Sequence, residues 1–285
     1  MRNPLVFASG AALVFGFFLV PGADPQAVPP SRVATKMPFE LVSNFLVVVK
    51  GQAGNVEGLR FILDTGSSNT WVDQKVADRL QLPRTPGKVM NFDREIPVEW
   101  AEIPMLQVGP IRAEGLRVAV KKLGEYSEFA AGVDGIIGLD VLSKTKKIFI
   151  NYERQEISFE LGEASNGSMP PRCFIVQLAV QGLPVRLALD TGFQGILLYR
   201  DHLRKGLREL RTEGAEVNMT MGRLQATRVK LPGVRIFGSE SVQTVFLIEG
   251  PSSKEMSGLD GCLGLASLHA RLIEFDFAAK ELRWQ

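Results

Sequence analysis

The tripeptide Asp-Thr-Gly occurs twice in this chain of 285 residues, with the copies 126 residues apart. The first copy occupies residues 64–66 and follows the apolar run 61–63, and the second occupies residues 190–192 and follows the apolar run 187–189. A short apolar run of this kind is typical of a buried strand. One Asp-Thr-Gly is expected by chance in only about one in twenty chains of this length. Two copies in the same local context therefore constrain the fold strongly.

Each copy also has a partner at the same distance downstream. Asp134 opens the segment Asp-Gly-Ile-Ile-Gly 70 residues after Asp64, and Asp260 opens Asp-Gly-Cys-Leu-Gly 70 residues after Asp190. Equal spacings favour an internal repeat over coincidence. The repeat predicts two loops that form the halves of one site, with Asp134 and Asp260 as turn or capping residues.

These motifs resemble those of the aspartic peptidases of the pepsin and retropepsin group. Residues 64–72 are similar to the first catalytic loop of pepsin, and residues 136–138 and 262–264 resemble the segments that pass behind each catalytic loop. The likeness covers most of residues 38–285. It implies an all-β, bilobal pepsin-like acid protease fold, with two pseudo-twofold-related β-barrel-like lobes and short helices.

The resemblance assigns Asp64 and Asp190 as a catalytic dyad that binds one water. Two adjacent carboxylates cannot both ionise cheaply, so the pair holds one proton. The charged member can then take a proton from the water while the protonated member donates to the amide carbonyl. This chemistry needs no metal or organic cofactor.

Residues around the two aspartates are expected to support the loops. Gly66 and Gly192 allow tight turns. By the resemblance, Thr65 and Thr191 hydrogen-bond across the axis between the lobes, as their counterparts do in the family.

The position after each glycine distinguishes the two loops. Ser67 is placed to hydrogen-bond the outer oxygen of Asp64, whereas Phe193 offers no donor to Asp190. Two interpretations of Phe193 stay open, a tolerated packing residue or an impaired second lobe.

A flap is expected over the substrate. In the first lobe the candidate turn is Met90–Arg94, and Phe92 and Trp100 are candidate substrate-binding residues, although both also suit an ordinary hairpin. Residues 219–223 are the equivalent turn of the second lobe.

Periodicity and turn residues predict the remaining elements. Helices are expected over residues 74–82 and 200–210. Long hairpins are expected over residues 89–108 and 217–234, and a closing hairpin ends each lobe.

The N-terminus resembles a targeting segment. A weakly positive start precedes an apolar run of 16 residues, Leu5–Val20, and small residues for cleavage follow it. This pattern predicts a signal peptide, with an uncleaved membrane anchor as the alternative. Either way, the protein is expected to be exported, to the periplasm or the medium.

Composition and spacing give the predicted domains and exclude several other functions. The net charge of +2 gives no indication of nucleic-acid binding, and the two histidines lack metal-ligand spacing. Cys173 and Cys262 are too few for a disulfide framework, and Cys262 is expected to be a buried free thiol, with a Cys173–Cys262 bridge as the alternative. The predicted segments are a leader (1–23), a proline-rich linker (24–38), an N-terminal lobe (39–161), a linker (162–170) and a C-terminal lobe (171–285).

The sequence thus predicts an aspartic-type endopeptidase that acts on peptide or protein substrates. Because one chain carries both aspartates, a monomer suffices for activity. The alternative is a non-catalytic, exported peptide-binding protein on the same scaffold. A third possibility is an enzyme restricted to one partner or to its own precursor.

Overall fold

The computed structural model describes residues 35–91, 94–162, 173–202, 212–220, 222–236, 239–248 and 258–285. In these ranges strands dominate and the helices are short, so the predicted all-β fold is confirmed. None of the helices found there has the length and apolar character needed to span a membrane. The predicted leader, residues 1–23, lies outside the described ranges.

The first half of the chain contains eleven of the described strands and three short α-helices. They are β1 (Thr35–Pro38), β2 (Glu40–Val42), β3 (Leu46–Ala53), β4 (Val56–Leu63), β5 (Trp71–Asp73), α1 (Gln74–Arg79), β6 (Thr85–Asn91), β7 (Arg94–Val108), β8 (Ile111–Lys121), α2 (Leu123–Tyr126), β9 (Gly135–Ile137), α3 (Leu139–Leu142), β10 (Lys147–Asn151) and β11 (Glu156–Glu160).

The second half adds nine described strands. They are β12 (Phe174–Val180), β13 (Leu183–Asp190), β14 (Ile196–Tyr199), β15 (Glu213–Met219), β16 (Gly222–Ile236), β17 (Ser239–Ile248), β18 (Gly261–Gly264), β19 (Leu272–Asp276) and β20 (Glu281–Trp284). Short 3₁₀-helices occupy Glu128–Ala130, Arg200–His202 and Leu265–Leu268.

The described strands form three sheets. One has the order β2-β3-β4-β9-β5-β8-β7-β6, with an extra β3–β7 pairing, and another has the order β12-β13-β18-β14-β17-β16-β15, with an extra β12–β16 pairing. In the first, β4 runs parallel to β9. In the second, β13 runs parallel to β18. Each Asp-Thr-Gly loop therefore leaves a central strand at the same place in its sheet.

Helix α1 begins and ends for local reasons. Asp73 caps its N-terminus, because its carboxylate accepts a hydrogen bond from the backbone N–H of Lys75 at 3.0 Å. Gln81 has a left-handed backbone, with φ of 52°, which stops the helix before the predicted end at residue 82. Of the second predicted helix, over residues 200–210, only the 3₁₀ turn Arg200–His202 lies within the described ranges.

The hairpin predicted over residues 89–108 is wrong in its extent. Residues 94–108 form the single strand β7, which pairs with β6 on one side and β8 on the other. Buried side chains recur along this strand, from Ile96 and Val98 to Leu106 and Val108, so the apolar pattern continues without a turn. Asn91 pairs with Arg94, which agrees with the turn that the sequence predicts over Met90–Arg94.

A third sheet, β1-β11-β10-β19-β20, joins the two halves of the chain. Strand β10 pairs with β19, with Ile148 opposite Phe275. Residues 35–38, which the sequence placed at the end of a linker, instead form β1 against β11. The predicted linker 162–170 lies outside the described ranges except for Gly162.

This joining sheet carries a buried cluster of charges. Glu274 is fully buried, and its carboxylate lies 2.6 Å from the ammonium nitrogen of Lys147, which also lies 2.9 Å from Asp276. Burial opposes the charge on Lys147, but the hydrogen bonds and charges of Glu274 and Asp276 outweigh burial and raise its pKa. The ammonium is thus the counter-charge on which two carboxylates depend.

Replacing Lys147 by methionine tests this cluster. Loss of the ammonium leaves the buried Glu274 with only the more distant guanidinium of Arg283, at 3.4 Å, as counter-charge, and we expect the free energy of unfolding to fall by about 3–5 kcal/mol. The control is Lys36→Met, which removes the exposed pair of Lys36 with Glu156 on the same sheet and should cost at most about 1 kcal/mol. Urea unfolding at neutral pH measures both. Equal losses would contradict the role given to Lys147.

Candidate active site

The two aspartates lie at corresponding places in the two lobes. Asp64 follows Leu63, the last residue of β4, and Asp190 is the last residue of β13. Only 1% of Asp64 and 7% of Asp190 is exposed. Each carboxylate accepts a hydrogen bond on Oδ1 from the glycine of its own loop, at 2.8 Å from Gly66 and 2.6 Å from Gly192. The Asp-Thr-Gly turn therefore orients its own aspartate.

The two glycines also allow the carboxylates to face each other. A Cβ on Gly192 would lie 2.5 Å from Oδ2 of Asp64, and a Cβ on Gly66 would collide with the carboxylate of Asp190. No side chain fits at either position without displacing the opposite aspartate. The glycines are thus required by a close approach between the loops as well as by the turn itself.

The two threonines cross between the loops. The backbone N–H of Thr65 donates to Oγ1 of Thr191 at 2.9 Å, and the N–H of Thr191 donates to Oγ1 of Thr65 at 3.2 Å. Each hydroxyl then donates onward to the backbone of the opposite strand, Thr65 to the carbonyl of Leu189 and Thr191 to that of Leu63. These four buried bonds fasten the loops to each other.

The aspartates are electrostatically coupled. Burial raises the pKa of Asp190 well above its ordinary value, and the charge of Asp64 and a hydrogen bond with it raise it further. The N–H of Gly192 and the thiol of Cys262 oppose this rise only in part. Asp190 therefore retains a proton at pH values where an exposed aspartate is charged.

The hydroxyl of Ser67 does not take the expected position. It donates to the backbone carbonyl of Asn69 at 2.7 Å, because a turn two residues long brings that acceptor closest. Oδ2 of Asp64 instead accepts a hydrogen bond of 2.6 Å from the hydroxyl of Thr220, in the turn between β15 and β16. Thr220 is 2% exposed. No sequence motif near Thr220 marks it as a partner of Asp64.

In the second lobe, the side chains near Asp190 include a thiol and an aromatic ring. The thiol of Cys262 lies 3.7 Å from Oδ2 of Asp190, and burial and the nearby charge of Asp190 raise the pKa of this thiol. Phe193 is buried in an apolar cluster with Val217, Met219 and Leu224 of the β15–β16 hairpin. Cys262 is a buried free thiol, as expected.

The apolar-apolar-glycine segments pass directly behind the loops. A Cβ on Gly138 would lie 2.5 Å from the carbonyl oxygen of Asn69. Asp140, at the start of α3, braces this contact by accepting hydrogen bonds from the N–H and hydroxyl of Thr70 at 2.9 and 2.7 Å. Burial raises the pKa of Asp140, and the Thr70 bonds oppose that rise. Asp140 lies in the first turn of α3, where an acidic residue is favoured, but no motif in the sequence marks it as a partner of Thr70.

The other aspartates of the repeat serve the backbone. Asp134 accepts a hydrogen bond from the N–H of Arg60, and Asp260 accepts one from the N–H of Arg186, each at 2.8 Å. Both donors lie on the strands that lead into the Asp-Thr-Gly loops. Asp134 and Asp260 thus hold the turns that precede β9 and β18.

The flap candidates have different positions. Phe92 lies outside the described residues. Trp100 pairs with Thr85, at the end of the β6–β7 hairpin opposite to its turn, and the guanidinium of Arg117 lies 4.2 Å from its ring centroid. Trp100 is therefore part of the hairpin base.

Within the described ranges, no group of three or more His, Cys, Asp or Glu side chains is arranged to hold a metal ion. The aspartates' neighbours are backbone N–H groups, a hydroxyl and a thiol.

Comparison with known proteins agrees with the predicted resemblance. Residues 47–141 match the family described as "Aspartyl protease". This range contains the first Asp-Thr-Gly loop and the segment behind it, so the resemblance to aspartic peptidases is confirmed for this part of the chain and supports a protease function in general. A retropepsin-like aspartic protease from Rickettsia conorii is similar at 13% identity and a TM-score of 0.34, over 46% of this chain and 97% of that one. No curated protein matches the chain.

Removing the hydroxyl of Thr191 tests the crossing between the loops. Thr191→Val leaves the buried N–H of Thr65 and carbonyl of Leu63 without partners, and we expect a loss of about 1–3 kcal/mol in the free energy of unfolding. Thr191→Ser keeps the hydroxyl and is the control. Chemical denaturation of both variants measures the difference. If serine costs as much as valine, the hydroxyl is not the stabilising group.

The buried charge of the pair predicts a pH-dependent stability. The pKa of Asp190 is higher in the folded protein than its value of about 3.9 in the unfolded chain. Asp190 therefore does not destabilise the folded state below this unfolded value, but it does so increasingly as the pH rises towards the folded pKa. Asp190→Asn removes this titration. We therefore expect that, as the pH rises above 4, the unfolding midpoint of the variant increases relative to that of the native protein. Parallel midpoints from pH 3 to pH 8 would contradict the raised pKa.

Proposed function

We propose that this protein is an aspartic-type endopeptidase, in which the dyad Asp64 and Asp190 activates a water molecule to hydrolyse peptide bonds. The observation that carries this proposal is the coupled, buried pair of carboxylates, one with a strongly raised pKa. The aspartyl protease match of the first lobe supports the same class of reaction.

The arrangement suits acid–base catalysis by two carboxyl groups. At a pH between the two apparent pKa values, one member is charged and the other holds a proton. The charged carboxylate takes a proton from the attacking water, and the protonated carboxyl donates to the carbonyl oxygen of the substrate. Neither step needs a covalent intermediate.

The neighbouring loop residues act by orientation. The N–H groups of Gly66 and Gly192 hold the two carboxylates, and the hydroxyls of Thr65 and Thr191 hold the two loops together. Such preorganisation is effective because a misplacement of about 1 Å can cost 10²-fold in rate. Both halves of the site come from one chain, so we propose that a monomer is sufficient for activity.

A non-catalytic peptide-binding protein is the alternative. Its support in the sequence is Phe193, which offers no hydroxyl to Asp190, and the lack of an identifiable flap tyrosine like that of pepsin. The aromatic ring is buried in the core of the second lobe and packs with the β15–β16 hairpin, which supports a packing role.

Location and domain limits belong to the same proposal. We propose export from the apolar run Leu5–Val20, with a signal peptide or an anchor at residues 1–23. The lobe limits 39–161 and 171–285 are likewise retained as a prediction.

Replacing each aspartate by asparagine tests the reaction. Asp64→Asn and Asp190→Asn each remove one acid–base group, and we expect hydrolysis to fall by at least about 10²–10⁴-fold. The control is Asp78→Asn, at an exposed position of α1. The assay is mass spectrometry of a diverse peptide mixture, with the native protein and with an aspartic-peptidase transition-state analogue. Peptide binding without cleavage at any pH would instead favour the binding protein.

The pH profile provides a second test. Activity needs one proton on the pair, so it should fall at low pH, when both members are protonated, and at high pH, when both are charged. The raised pKa of Asp190 moves the high-pH limit upward from the ordinary aspartate range. Measurement of kcat/KM from pH 2 to pH 9 should give a bell-shaped curve. Activity that rises steadily through neutral pH would contradict a shared-proton mechanism.

A further inference from the structure

The hydrogen bonds on the two aspartates are matched at one oxygen and different at the other. Oδ1 of each carboxylate accepts a loop N–H. Oδ2 of Asp64 accepts the hydroxyl of Thr220 at 2.6 Å, whereas Oδ2 of Asp190 has the thiol of Cys262 at 3.7 Å. A hydroxyl is a strong donor and a thiol is a weak one. A donor to the charged form of a carboxylate favours that form, so the difference favours charge on Asp64.

Thr220 reaches Asp64 from the opposite lobe because its turn is held there. Its backbone N–H donates to the carbonyl of Gly192 at 3.4 Å. The neighbouring carbonyl of Met219 accepts a hydrogen bond of 2.5 Å from the hydroxyl of Ser127, which belongs to the first half of the chain. Ser127 and Met219 are both buried. The turn therefore has a contact with each lobe beside the dyad.

Apolar packing fixes the same turn from the other side. Val217 and Met219 precede Thr220, and Leu224 follows it, and all three belong to the buried cluster of Phe193. The salt bridge between Arg223 and Glu128 at 2.9 Å is exposed and adds little. Phe193, which offers no hydroxyl to Asp190, thus belongs to the same cluster that positions the hydroxyl of Thr220 on Asp64.

We infer that Thr220 is a positioning residue of the dyad, whose hydroxyl holds Asp64 as the charged member and leaves the shared proton on Asp190. Asp64 is then the base that takes the proton from water, and Asp190 is the acid that donates to the substrate carbonyl. These catalytic roles rest on the proposed function, but the placement of the proton does not.

The charged and titratable surroundings agree with this placement. Asp190 faces Asp64 and the Cys262 thiol, and both the burial of Asp190 and the Asp64 charge favour its neutral form. The thiol stays protonated because burial and the Asp190 charge oppose its ionisation. On the β15–β16 hairpin, Arg223 pairs with Glu128 and Glu216 at its exposed side.

The test is a ¹³C NMR titration of the full-length protein labelled at the aspartate carboxyl carbons. The two resonances are assigned with Asp64→Asn and Asp190→Asn. In the native protein, we expect the Asp64 carbon to show the charged shift and the Asp190 carbon the protonated shift between the two titration steps. The reverse assignment would overturn the inference, and this outcome requires no variant of Thr220.

Two substitutions of Thr220 test the hydroxyl itself. Thr220→Val keeps the shape and removes the donor, so the lower apparent pKa of the pair should rise by about 1–2 units. Thr220→Ser keeps the donor and should restore the native titration. An unchanged titration in Thr220→Val, or equal shifts in valine and serine variants, would overturn the inference.

The titration tests the placement of the proton independently of the proposed function, because it does not require cleavage of a peptide. If the pair titrates as expected but the protein cleaves no peptide, the endopeptidase proposal is wrong and the placement of the proton is supported. In an active protein, the low-pH limb of kcat/KM should move upward in Thr220→Val and return in Thr220→Ser. If the Thr220→Val variant is active and keeps the native pH profile, the positioning role of Thr220 is wrong.

Discussion

The reciprocal hydrogen bonds between Thr65 and Thr191 join the two halves of the chain at one point. Each hydroxyl accepts a backbone N–H from the other loop and donates to the strand that leads into it. The buried polar groups of both loops are thereby satisfied by the opposite lobe. Because Asp64 and Asp190 directly precede these threonines, the same bonds bring the two carboxylates together.

Bringing two carboxylates into a buried site is unfavourable, and the structure reduces the cost in two ways. One proton is retained, as the raised pKa of Asp190 indicates. The remaining charge is held by hydrogen bonds from Gly66 and Thr220 to Asp64. The joining sheet has a comparable problem at Glu274, where the ammonium of Lys147 and the guanidinium of Arg283 provide the counter-charge instead. Burial of like charges in this protein thus requires either a proton or a cation.

Prediction from the sequence brings Asp64 and Asp190 together because the determinants of the two loops are local. The pairing of Asp64 with Asp190 and the close approach of Gly66 and Gly192 follow from loops that are repeated with the same spacing. It failed where a side chain chooses among several acceptors. Ser67 satisfies a carbonyl two residues away, and its expected place on Asp64 is taken by Thr220, which is 156 residues distant along the chain.

The sequence by itself determined the two Asp-Thr-Gly loops, the strands that lead into them and the glycines that let them meet, because turn conformation and apolar periodicity depend on neighbouring residues. Only the tertiary structure decided which donor reaches which carboxylate. That choice depends on where the β15–β16 turn is held by Phe193, Met219 and Ser127. A hydrogen bond is lost within a few tenths of an ångström, and such precision comes from packing between lobes rather than from any local motif.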